Sequence, residues 1–174
     1  MKLLGAVTGV AAVVVALVLQ VSLFPHFALP VMGHGIVPNL VLLVVGAASL
    51  TRGAAFGMLL GFVGGVALDL APPADHLAGR WALALVVVAY VASRVRTDSR
   101  PSTVAVIGTV AASSFVGTSL FALSGLLLRD PVMSVPDLLQ VILVALVWDV
   151  LLTPFVLPVM MRMFDAVTPE RAAV

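Results

Sequence analysis

Apolar runs recur along the whole chain, parted only by short turns, and this pattern leaves few folds open. The runs cover residues 3–24, 37–51, 53–70, 79–93, 102–128 and 135–162. Crossing a bilayer takes roughly 20 apolar residues per helix, so a chain of 174 residues has room for six crossings and short loops. The chain is 62% apolar and 10% charged, where soluble domains carry about 25% charged residues. Its mean hydropathy is +1.24. The expectation is an all-α integral membrane protein, a six-transmembrane-helix bundle forming one polytopic domain over residues 1–174. Cysteine is absent, which removes disulfides, thiol chemistry and cysteine metal sites. The net charge of +1 offers no basic surface for nucleic acid.

The first run keeps one late polar interruption, Gln20, expected to hydrogen-bond between helices. It is longer than the apolar core of a secretory signal, and bulky Leu23 and Phe24 follow instead of a small-residue cleavage site; it reads as a retained membrane helix. Pro25, Pro30 and Pro38 with Gly33 and Gly35 mark a loop, apolar enough to dip into the interface. The second run starts at Pro38-Asn39, with proline in the first helical turn, where its missing N–H has no partner anyway. It is short for a full span. Thr51-Arg52-Gly53 turns into the third run, which Pro72 and Pro73 stop. Trp81 and Tyr90 sit at opposite ends of the fourth, as interfacial aromatics do. In the sixth, Pro154 is expected to kink the helix.

Six spans with a cytoplasmic N-terminus place Lys2, Arg52, Arg94, Arg96, Arg100, Arg162 and Arg171 on the cytoplasmic side, and only Arg80 and Arg129 outside. That asymmetry follows the positive-inside rule and puts both termini in the cytoplasm of a cell membrane. Asp69 then falls at the outer face, solvated or paired with Arg80.

Gly57, Gly61 and Gly65 recur every fourth residue, and Asp69 follows four later. On a helix this spacing makes a bare, gently winding groove ending in an acid. Such grooves allow close backbone approach between membrane helices. The groove is expected to pack against another segment of this chain or a partner's helix, with Asp69 as its polar anchor. Asp149 lies near the middle of its span, where an ionised acid costs roughly 2.5–3.5 kcal/mol. It is expected to face the bundle as a polar clamp, meeting Ser113, Ser114, Thr118 or a backbone carbonyl freed by Pro154, or to act as a protonation-linked switch or a polar contact to a partner.

The sequence offers no catalytic, cofactor or metal set. His26, His34 and His76 are scattered over loops without ligand spacing. An intramembrane aspartyl hydrolase needs two acids sharing a site, whereas Asp69 and Asp149 are expected to lie offset by roughly half a bilayer. Lipoprotein signal peptidases keep Asn and Lys companions near their acid pair; here Asn39 and Lys2 are the only residues of those types.

Taken together, Leu19-Gln20, Pro38-Asn39-Leu40, Gly61-Phe62 with Gly65, Leu68-Asp69-Leu70, Gly79 with Ala82-Leu83, Asp149 with Pro154, and Met160-Met161-Arg162 resemble the rod-shape-determining MreD family. The resemblance spreads over most of the chain. It departs at Asp149, where the family pattern would place Asn. It implies a fold similar to the substrate-binding S-components of energy-coupling-factor transporters. It also implies a non-enzymatic scaffold of the cell-elongation machinery, supporting peptidoglycan synthesis and cell shape. The implied partners are the bitopic protein MreC and, through it, MreB and RodA with its transpeptidase. The S-component likeness supplies the alternative, a membrane subunit for vitamin or metal uptake.

Overall fold

The computed structural model describes residues 2–31, 34–72, 77–94, 102–128 and 134–167. Among these the chain is mostly helical, with six α-helices: α1 (Lys2–Ser22), α2 (Leu40–Arg52), α3 (Ala54–Leu70), α4 (Arg80–Arg94), α5 (Thr103–Leu127) and α6 (Val135–Ala166). A 3₁₀ turn, Phe24–Phe27, and a small antiparallel ribbon, β1 (Leu29–Val31) with β2 (His34–Ile36), lie between α1 and α2. Three helices are long and apolar enough to cross a membrane: Leu3–Ser22, Thr103–Leu127 and Pro136–Ala166. They mark a membrane protein. α2 and α3 are apolar but shorter.

The short α2 is the centre of the bundle. It touches all five other helices, and every residue from Leu40 to Thr51 is buried. A helix apolar on all sides has no wet face to offer and is stable only when surrounded. The outside of the bundle is apolar as well. Leu139, Leu143, Val147, Leu151, Phe155 and Val159 form an exposed ridge at every fourth residue of α6, and Val7, Val10, Val14 and Val18 are exposed along α1. Both ridges are what lipid chains would solvate.

The boundaries differ from the sequence reading where local chemistry decides them. α1 stops at Ser22 because Pro25 turns the chain into the 3₁₀ segment. Ribbon hydrogen bonds take up part of the segment read only as a loop, with Pro30 tolerated because a two-stranded ribbon leaves an open edge. α2 begins at Leu40, not residue 37. Asn39 is its N-cap, its side-chain oxygen accepting the Leu42 N–H at 2.9 Å. Pro38 therefore precedes the helix instead of filling its first turn. α6 runs on to Ala166, through Pro154 and Pro158.

Gly53 makes the corner between α2 and α3 in a single residue. Its N–H closes α2 on the Ser49 carbonyl at 3.0 Å, and its own carbonyl accepts from the Gly57 N–H of α3. That double role needs φ of +88°, open to glycine and strained for other residues.

Side-chain contacts fix the helix directions. Arg52 at the end of α2 lies against Gly5 near the start of α1. Phe56, early in α3, meets Phe164, late in α6. Gly61 and Gly65 face Leu85 and Ala82 in antiparallel order. One end of the bundle thus gathers the start of α1 and the ends of α2, α4 and α6, with Arg52, Arg94 and Arg162. Asp69 and Arg80 lie toward the other end.

Candidate functional site

Two polar centres interrupt the apolar interior, and each is built on the start of a short helix. The first lies between α3 and α4, the most closely packed pair in the molecule. A Cβ at Gly61 would stand 2.6 Å from the Leu85 carbonyl oxygen, and one at Gly65 would collide with the Ala82 backbone. At Gly57 it would run into Ser49 of α2. The glycine stripe is therefore filled from within the chain, by α4 along Gly61 and Gly65 and by α2 at Gly57. A partner's helix has no room there.

At the end of this seam Asp69 is buried, 3% exposed, so of the readings its position allowed the solvated one does not hold. Its carboxylate accepts the backbone N–H groups of Gly79 (2.8 Å), Trp81 (3.0 Å) and Ala82 (3.2 Å). These belong to the N-terminal turn of α4, whose amides have no partner inside their own helix. A carboxylate there also meets the positive end of the helix dipole. Gly79 reaches this geometry at φ +103°. Beside it, Arg80 turns to α5, donating from Nε to Ser124 Oγ (3.1 Å) and from Nη2 to the Phe121 carbonyl (2.7 Å). Its guanidinium lies 4.0 Å from the Phe121 ring centroid, and Trp81 stacks on the same ring.

The second centre surrounds Asp149, which is 0% exposed. Oδ1 accepts the Asn39 N–H at 2.8 Å, and Oδ2 accepts the Ser114 hydroxyl at 2.6 Å. Asp149 thereby ties α6 to the start of α2 and the middle of α5. Gln20 of α1 adds its side-chain oxygen to the Val41 N–H at 3.4 Å. With Asn39 capping Leu42, the first amides of α2 are met by its own cap and by two other helices. Of the other side chains expected around Asp149, Thr118 bonds to the Ser114 carbonyl in its own helix, and Ser113 Oγ is buried with no hydrogen-bond partner. Asn39 Nδ2 is likewise buried and unmet. Thr153 covers the Asp149 carbonyl at 2.8 Å, one residue before Pro154.

The two acids lie closer in depth than the sequence implied. Val41 and Val45 of α2 face Gly64 and Gly61 of α3. Asp69 is five residues past Gly64 and Asn39 two before Val41, so the levels differ by about three residue rises, roughly 5 Å. The half-bilayer offset assumed full-length spans, and α2 and α3 are short. Each carboxylate nevertheless serves a different helix start.

His26 sits in the 3₁₀ turn with Nδ1 3.3 Å from the Leu23 carbonyl, His34 is on β2, and His76 lies outside the described residues. Among the described residues no three His, Asp or Glu side chains gather as a metal site would. No protein-family model, curated protein sequence or solved structure matches this chain.

Proposed function

We propose that this protein is a non-enzymatic scaffold of the bacterial cell-elongation machinery, as its resemblance to the MreD family implies. On this reading all six helices lie in the cell membrane, with both termini cytoplasmic. The gathering of Arg52, Arg94 and Arg162 at one end supports that orientation, as does the sequence balance of basic residues. The fold would then be of the S-component kind, holding a bitopic MreC-like partner and, through it, MreB and RodA with its transpeptidase.

The single observation that carries the scaffold reading is how the buried acids are used. Both carboxylates are spent on joining helices: Asp69 on α4, Asp149 on α2 and α5. A bundle whose polar groups hold its own helices together suits a rigid platform. Because the glycine stripe is filled internally, the partner helix would sit on an outer apolar face, of which the α6 ridge is the longest.

The test is photocrosslinking in native membranes from Val147 and Leu151 on α6, with Gly61 as an internal control. The expected product joins α6 to a co-expressed MreC-like protein, with none from the control position. A vitamin or metal ion co-purifying in stoichiometric amount, without such a product, would replace the scaffold with the uptake-subunit alternative.

A further inference from the structure

Two arginines in this bundle each lie over a phenylalanine ring, and they are finished differently. Arg80 is completed by the protein, through Ser124 and the Phe121 carbonyl. Arg52, the last residue of α2, has its guanidinium 4.4 Å from the Phe56 ring centroid. On another side it presses on Gly5 of α1, so closely that a Cβ there would overlap Nη1, Cζ and Nη2. Phe56 is itself braced edge-on by Phe164, which is fully buried. The group is thus held in place by α1, α3 and α6. Yet no carboxylate, carbonyl or hydroxyl in the described residues accepts a hydrogen bond from it, and Nη1 is buried without a partner. Arg52 as a whole is partly exposed, so its open surface lies on its other atoms, at the basic end of the bundle.

A planar guanidinium presents its N–H donors as a fork suited to carboxylate or phosphate oxygens. Leaving it ordered and unmet beside apolar surface is costly. Among the described residues nothing supplies an acceptor, and the open atoms of the guanidinium are reachable from outside where α2 ends. We infer that Arg52, seated between Gly5 and Phe56, is a binding site for the phosphodiester of an anionic lipid headgroup. Gly5 is small because the guanidinium lies against its α-carbon, and Phe56 supplies a π face that favours a cation. The inference rests on the membrane embedding proposed above and not on the scaffold role. The partner crosslink and the lipid site can therefore fail separately.

The test uses the full-length protein extracted from phosphatidylcholine vesicles made with or without phosphatidylglycerol, with lipid retention read by native mass spectrometry. Wild type should retain phosphatidylglycerol over phosphatidylcholine. Arg52→Gln should lower that preference about fivefold, the scale of one basic side chain meeting an anionic surface, while Arg162→Gln, on the exposed end of α6, keeps it. Equal loss in the two variants, or no preference in wild type, overturns the site. Inorganic phosphate displacing the lipid at comparable concentration would assign the site to a free anion and overturn the lipid. Should Arg52→Gln not fold, Arg52→Lys keeps the charge without the fork. A few-fold loss of preference then supports the site, and none contradicts it.

Discussion

Asp69 and Asp149 are both buried acids set on the start of a short helix, and they differ in what they accept. Asp69 takes three backbone N–H groups, using both oxygens. Asp149 takes one backbone N–H and one hydroxyl, one per oxygen. A backbone amide is a donor in a fixed direction. A serine hydroxyl rotates and can accept as readily as it donates. The first acid is therefore locked into its role by partners that cannot adapt, and the second has one partner that can. The same kind of side chain is therefore expected to be required at one helix start and exchangeable at the other.

The largest effect should come from separating a cap from its helix. Gly65→Leu puts a branched side chain into the Ala82 backbone, one turn before Asp69. It should push α4 off α3 and withdraw the α4 amides from the carboxylate. A loss of at least about 3 kcal/mol is expected, read as failure to purify a monodisperse protein in detergent. Normal yield and unfolding would mean that the α3–α4 seam is looser than the contacts indicate.

Asp69→Asn is the next largest. The amide keeps one acceptor oxygen but turns an NH₂ toward a backbone N–H, donor against donor. It should cost about 1–3 kcal/mol, the range for a buried donor left unmet, measured by denaturant unfolding in mixed micelles. A silent change would show that these N–H groups have other acceptors.

The apolar segmentation was legible because length and hydrophobicity alone encode it, and the glycine stripe was legible as a packing surface because its period matches the helix. What fills the stripe was not legible. Gly57, Gly61 and Gly65 are bare toward any close-packing helix, whereas in the structure α2 fills the stripe at Gly57 and α4 at Gly61 and Gly65, with the amides of Gly79, Trp81 and Ala82 on Asp69. A carboxylate followed ten residues later by Gly at a helix start was the available clue. The true start of α2 was also written locally, in Asn39 three residues before Leu42. The apolar count hid it by running back to Val37. Nothing local joins Asn39 to Asp149, 110 residues away. The sequence did point to Ser114 as a neighbour of Asp149, but not to the helix start between them. The ribbon at Leu29–Ile36 escaped because prolines and glycines there masked a strand signal only three residues long on each side.

The measurement that bears most directly on this picture sets Asp149→Asn beside Asp69→Asn in the same unfolding assay. At Asp149 an amide can keep its oxygen on the Asn39 N–H while its NH₂ donates to a reversed Ser114 hydroxyl. A change below about 1 kcal/mol is expected at Asp149, with a clearly larger loss at Asp69. Equal losses at the two positions, or a larger one at Asp149, would contradict it.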